Sequence, residues 1–121
     1  MTFKLGANSI NNMSGIDERL IAIAELAITL TNIDFGIPNT GGLRSTEDQA
    51  KLFTSGVSKA DGRTNKSYHQ TGKAVDVYAY VDGKASWDKL HLSLIAAAML
   101  QASSQLGWKS WQDYPHFEIR D

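Results

Sequence analysis

The chain has 121 residues, 42% of them apolar and 21% charged, with a formal net charge of −1. That suits one domain with its own core, and it excludes the basic excess that draws proteins onto nucleic acid. There are no cysteines, so disulfides and thiolate metal sites are excluded, and any metal must be held by His, Asp or Glu.

Residues Met1 to Gly6 lack the apolar run of a secretory signal. The longest apolar stretch, Leu94 to Leu100, is far short of the roughly 20 residues that span a bilayer. The expectation is a product made in the cytoplasm, without a signal peptide and without direct membrane insertion. No repeat, linker or low-complexity tract is visible, so residues 1–121 read as a single domain.

The first helix is expected after Ser14, which can cap the backbone near Asp17, and runs from Ile16 to Thr31. Ile16, Leu20, Ile23, Ala27 and Leu30 recur at helical spacing and give it one buried stripe. Phe35 to Ile37 reads as a short strand ended by Pro38, and Asn39-Thr40-Gly41-Gly42 as a flexible link. Ser45 is the next N-cap, with Glu47 and Asp48 in the first turn where the helix dipole favours anions; that helix stops near Gly56. Residues 57–66 are polar and carry an Asp61-Gly62 turn signal.

Ala74 to Val81 alternates as one strand, with Ala74, Asp76, Tyr78 and Tyr80 on one face and Val75, Val77 and Val81 on the other. Asp82-Gly83 is a turn. Ser86 is expected to cap a long, largely buried helix through Gln105, stopped by Gly107. A last strand, Pro115 to Ile119, puts His116 and Glu118 on one face and Phe117 and Ile119 on the other. The class is α+β, a small antiparallel sheet carrying the site with helices packed behind it.

The chemistry gathers at Ser67 to Asp76. His69 and Asp76 stand seven apart, and a tight turn at Gly72 can fold the imidazole back over the carboxylate. His116 on another strand supplies a third ligand. Two imidazoles and one carboxylate suit Zn²⁺ and leave its fourth position open, the pattern of a hydrolytic site. Alone, a His before a strand is more often a surface or hydrogen-bonded residue, and an Asp in a strand an edge device. His91, inside the Ser86 helix, has no partner in sight and is left out.

A hydrolytic metal needs a nearby base. Asp113, three residues before His116 with Pro115 barring a helix between them, is the first choice. Glu118 is the rival, or else a partner that orients the His116 imidazole. Arg44 can reach a substrate oxygen with its planar fork, or form a surface ion pair with Glu47 or Asp48. Ser67 can bond substrate or cap its loop. Trp108, Trp111 and Tyr114 are either core or cleft wall.

Together, Ser67-x-His69-x-x-Gly72-x-Ala74-x-Asp76 and Asp113-x-x-His116-Phe117-Glu118 resemble the zinc D-Ala-D-Ala carboxypeptidase superfamily, with its hedgehog/D,D-peptidase-like fold. Within it, the chain is most similar to the L-alanyl-D-glutamate endopeptidase endolysins of tailed phages. Gly42-Leu43-Arg44-Ser45 with Gln49 is similar to that family's Arg segment, and Ser58-Lys59-Ala60-Asp61-Gly62 to its linking loop. The similarity spans roughly residues 35–119, in the family's order.

The resemblance implies one zinc ion held by His69, Asp76 and His116, Asp113 as base, and Arg44 stabilising the substrate or oxyanion. It implies cleavage of the L-Ala–D-Glu bond of the peptidoglycan stem peptide during host lysis, by a monomer that reaches the wall after a holin has opened the membrane. The short segment before Asp113 departs from the family by lacking its frequent Gly-Gly-x-Trp insert. The chain also has no added wall-binding domain, which fits endolysins directed at Gram-negative hosts. The alternatives are a D,D-carboxypeptidase or dipeptidase, which shares ligands and base, and a non-catalytic zinc-stabilised wall-binding module.

Overall fold

Two helices supply the scaffold against which everything else is placed. In the computed structural model, which describes residues 2–56, 58–64 and 67–120, α2 (Glu18–Leu30) packs on α4 (Lys89–Leu106). A short helix, α1 (Ala7–Asn12), precedes them, and α3 (Thr46–Thr54) lies between β1 and the site. The expected stripe is the one that packs: Leu20, Ile23 and Ala27 are fully buried, and meet Ile95, Met99 and Ala102 of α4 in the same core. Burying one such aliphatic side chain is worth roughly 1.5–3 kcal/mol.

The helix starts differ from expectation in an instructive way. Asp17, not Ser14, caps α2: its carboxylate accepts from the Arg19 N–H at 2.9 Å and its own N–H goes to the Gly72 carbonyl at 2.7 Å. Asp88, not Ser86, caps α4, because Ser86 is already a strand residue paired with Ala79. Ser45 caps α3 as expected. In each corrected case a nearby acid serves as the cap, and the serine belongs to the preceding segment.

The class is α+β, but the strands form two small antiparallel sheets rather than one. One sheet has the order β1 (Asp34–Gly36), β3 (Tyr78–Val81), β4 (Lys84–Ser86). The other has the order β2 (Ala74–Asp76), β6 (His116–Ile119), β5 (Ser110–Asp113). The run from Ala74 to Val81, expected as a single strand, crosses from one sheet to the other at Val77. At the crossing the Asp76 N–H, on the side away from β6, donates to the Gly41 carbonyl at 2.8 Å, and the Val77 N–H makes the last bond towards the β6 side, to the Pro115 carbonyl at 3.1 Å. The crossing frees Asp76 from a continuous strand and sends Tyr78 and Tyr80 to a separate depression beside Lys4 and Asp34.

β5, absent from the expected elements, joins β6 through Tyr114-Pro115, whose peptide bond is cis. Its inner face is Gln112, opposite Phe117. Of the expected 57–66 loop, residues 57, 65 and 66 lie outside the described residues; Asp61 closes a turn by accepting from the Arg63 and Thr64 N–H groups.

Candidate metal centre

Three strands bring the chemistry into one row. On β6, His116 is directly opposite Asp76 of β2 on one side and Asp113 of β5 on the other. Opposed residues on neighbouring strands share a face, so Asp76, His116 and Asp113 stand side by side on the same surface. The Asp76–His116 pair does not exchange ladder hydrogen bonds, since the Asp76 N–H is committed to Gly41. Such pairs hold their side chains closest, with Cα atoms about 4.5 Å apart.

His69 arrives from a different direction. A single 3₁₀ turn, Tyr68–Thr71, carries it, closed at its start by a capping box between Ser67 and Gln70 and at its end by Gly72 in the left-handed region (φ 73°). A Cβ at Gly72 would press on the backbone of Gly15 and Ile16, so the turn admits only glycine without displacement. His69 is 1% exposed.

Three donor atoms then converge. His69 Nε2 lies 3.1 Å from Asp76 Oδ1 and 3.1 Å from His116 Nδ1, and His116 Nδ1 lies 3.1 Å from Asp76 Oδ1. The other edge of each ring fixes its tautomer. His69 Nδ1 meets the Gly42 carbonyl at 2.9 Å, and His116 Nε2 meets Glu118 Oε1 at 2.7 Å. Carbonyl and carboxylate oxygens only accept, so both outer nitrogens carry the hydrogen and both inner ones turn a lone pair inward. Two lone pairs and a carboxylate oxygen facing one another form a donor set for a cation, and these three residues are the metal-capable group among the described residues.

The electrostatics agree. Burial opposes the charge on Asp76, yet hydrogen bonds and positive charge from His116 and His69 hold its carboxyl well below the usual range. Burial likewise disfavours a charged His116, but hydrogen bonds to Asp76 and Glu118 carry its value above that of an ordinary imidazole. A proton and a cation would compete for the same inner nitrogen of His116.

Arg44 does not pair with Glu47 or Asp48. Its guanidinium donates to Asp76 Oδ2 at 2.9 Å, to the Thr40 carbonyl at 2.8 Å and to Gln49 Oε1 at 3.1 Å. Burial lowers its value while Asp76 pulls it back up. Arg44 therefore holds one oxygen of Asp76 and leaves the other turned to the imidazoles. Gln49, fully buried, anchors this network: its Nε2 donates to Ser58 Oγ and the Ala60 carbonyl, both at 2.7 Å.

The Gly41-Gly42 link, expected to be flexible, is a template. Gly41 receives the Asp76 N–H, Gly42 receives His69 Nδ1, and the Arg44 N–H donates to the His69 carbonyl at 3.0 Å. A Cβ on Gly42 would run into the Asn12 carbonyl, which explains glycine there by close approach. Gln49 and this glycine pair carry more of the site than their sequence signals suggested; a glutamine inside a short polar helix gives no sign that it will be buried.

The sites of the other candidates are plain. Asp113 is exposed at the cleft, and its side chain has no hydrogen bond or ion pair among the described residues. Glu118 is 4% exposed, with Oε1 on His116 and Oε2 accepting from Arg120 Nε at 2.8 Å. Ser67 Oγ accepts the His69 N–H at 3.2 Å, capping the turn that carries His69. His91 bonds Ser86 Oγ at 2.7 Å and does not line the cleft. Trp111 and Tyr114 are cleft wall, joined by Tyr68 and Trp87, whereas Trp108 packs against the core. The cleft in front of the row measures ≈ 690 Å³.

Glu118's two bonds predict a positioning role. Glu118→Gln should weaken metal binding by roughly 10–100-fold while keeping most turnover at saturating metal. Metal titration alongside hydrolysis separates the cases: collapse of turnover at full occupancy would make Glu118 the base.

Comparison with known proteins places this geometry. The phage L-alanyl-D-glutamate peptidase family matches residues 1–117. The L-alanyl-D-glutamate peptidase of Escherichia phage T5 is 32% identical over 129 residues, covering 99% of this chain and 91% of that protein. The solved structure of the Serratia marcescens L-Ala D-Glu endopeptidase ChiX superposes with a TM-score of 0.82 at 30% identity, covering 99% of this chain and 90% of its own. With the match running through the His69 turn, the Asp76 strand and His116, the chain belongs to the phage L-alanyl-D-glutamate peptidase family.

Proposed function

We propose that this protein is a zinc-dependent peptidoglycan endopeptidase that hydrolyses the L-Ala–D-Glu bond of the stem peptide, acting as an endolysin. The single observation that carries the chemistry is the convergence of His69 Nε2, Asp76 Oδ1 and His116 Nδ1 with Asp113 next in the row. Membership of the family carries the bond. A His₂-carboxylate set of this kind fits Zn²⁺, and when bound, that ion supplies a Lewis acid that acidifies water and polarises a carbonyl.

The chain's own residues do the rest. Asp113, exposed at the cleft and free of structural bonds, accepts a proton from the attacking water and returns it to the leaving amine. Arg44 fixes Asp76 by one oxygen and keeps a cation at the cleft wall where negative charge develops on the substrate. Glu118 orients His116, and Ser67 holds the turn that presents His69. The protein works as a monomer made in the host cytoplasm, and reaches the wall once a membrane lesion, of the kind a holin makes, has opened the way.

Digestion of purified peptidoglycan by the zinc-loaded protein, read by mass spectrometry, tests the assignment. Stem fragments that begin at D-Glu, with L-Ala left on the glycan, are the expected products. Release of a terminal D-Ala alone would replace the endopeptidase with a carboxypeptidase. Absence of cleavage with metal present would leave a wall-binding module.

A further inference from the structure

The stem peptide continues from D-Glu through its γ-carboxyl, so the residue on the leaving side of the scissile bond bears a free α-carboxylate beside the reacting carbonyl. A site that cuts there needs a cation for that group. Apart from the imidazoles, the cleft is lined by two cationic residues among those described, Arg44 and Lys59. Arg44 already donates to Asp76, Thr40 and Gln49. Lys59 makes no ion pair or hydrogen bond among the described residues, although Asp76, Asp113 and Glu118 line the same cleft.

Its placement is not that of a loose surface lysine. Lys59 stands between Ser58 and Ala60, and both neighbours are tied to the one buried amide, Gln49 Nε2, through Ser58 Oγ and the Ala60 carbonyl. Ser58 Oγ also accepts the Ala60 N–H at 3.2 Å, and the Ser58 N–H donates to the Leu52 carbonyl at 3.2 Å. Gln49 in turn holds Arg44, and Arg44 holds the metal-site carboxylate. The backbone under Lys59 is thus referenced to the metal centre through three consecutive side chains. A flexible ammonium on a fixed base suits a carboxylate whose position varies little.

We propose that Lys59 is the specificity-determining residue that recognises the free α-carboxylate of the D-Glu residue flanking the scissile bond. The assignment rests on the endopeptidase reading above. Its consequence is a preference for the acid over the same peptide bearing an α-carboxamide, which has the same shape and no charge.

The test uses the zinc-loaded full chain and two synthetic stem peptides, one with D-Glu and one with its α-amide. Wild type is expected to cleave the acid with kcat/KM roughly 10–100-fold above the amide, the size of a charge-assisted hydrogen bond. Lys59→Met should cut kcat/KM for the acid by a similar factor, mainly through KM, and slow the amide far less, so that the preference collapses. Lys59→Arg should restore part of it. Equal cleavage of both peptides by wild type, or an equal loss on both in Lys59→Met, overturns the assignment to Lys59. Failure of wild type to cut either peptide between L-Ala and the next residue overturns the endopeptidase reading itself.

Discussion

Asp113→Asn is expected to lower turnover by roughly 10²–10⁴-fold, the span that a positioned general base contributes, while metal binding and folding stay as they are. The separation follows from what Asp113 touches. Its carboxylate is exposed, takes part in no hydrogen bond or ion pair among the described residues, and is not one of the three converging donors. Its position is nonetheless fixed, because its backbone is in register with His116 at the turn end of β5. Asn keeps the shape and loses the ability to take a proton. Hydrolysis of an L-Ala–D-Glu peptide, with metal content and thermal melting measured on the same sample, reads all three properties. A near wild-type rate at full metal occupancy would move the base elsewhere, and comparison with Glu118→Gln would show whether it moves along β6.

The same row shows why the candidate site was more legible in the sequence than the frame around it. His69, Asp76, Asp113 and His116 are chemically distinctive, and the alternation of β6 correctly set His116 and Glu118 on one face. Residue spacing could not disclose that β2 and β3 belong to different sheets, because the partners at the crossing, the Gly41 and Pro115 carbonyls among them, are distant in sequence. The caps failed for a related reason. Ser14 and Ser86 are good cap residues by type, but Asp17 and Asp88 lie closer to where packing begins the helices. Arg44 shows the limit most clearly. Its local neighbours Glu47 and Asp48 offered partners, yet its ion pair is with Asp76, across 32 residues of chain.

That long-range pair makes Asp76→Ala the other variant with a large effect, and the effect has two separable parts. The first is chemical: one of three converging donors is gone, so metal binding and turnover should be lost together. The second is structural. Arg44 and Asp76 have side chains only 11% and 17% exposed, and removing one partner of such a pair strands the other. Breaking a buried pair costs roughly 3–5 kcal/mol, and the residual exposure here sets the expectation near the lower end. The Arg44→Met/Asp76→Ala double variant removes the stranded cation as well. It should recover part of the stability in chelator, though not all, since Gln49 Oε1 loses the Arg44 donor. It should recover no metal binding. The sign with pH is also fixed: the folded Asp76 carboxyl sits below its unfolded value, so its contribution is present above the ordinary carboxylate range and lost as pH falls. The stability gap between wild type and Asp76→Ala, both metal-free, should therefore narrow in acid. Urea denaturation of the three chains in chelator at neutral and acidic pH measures each term. A double variant no more stable than Asp76→Ala would mean that Arg44 is not held by this carboxylate, and the loop from Pro38 to Arg44 would need another anchor.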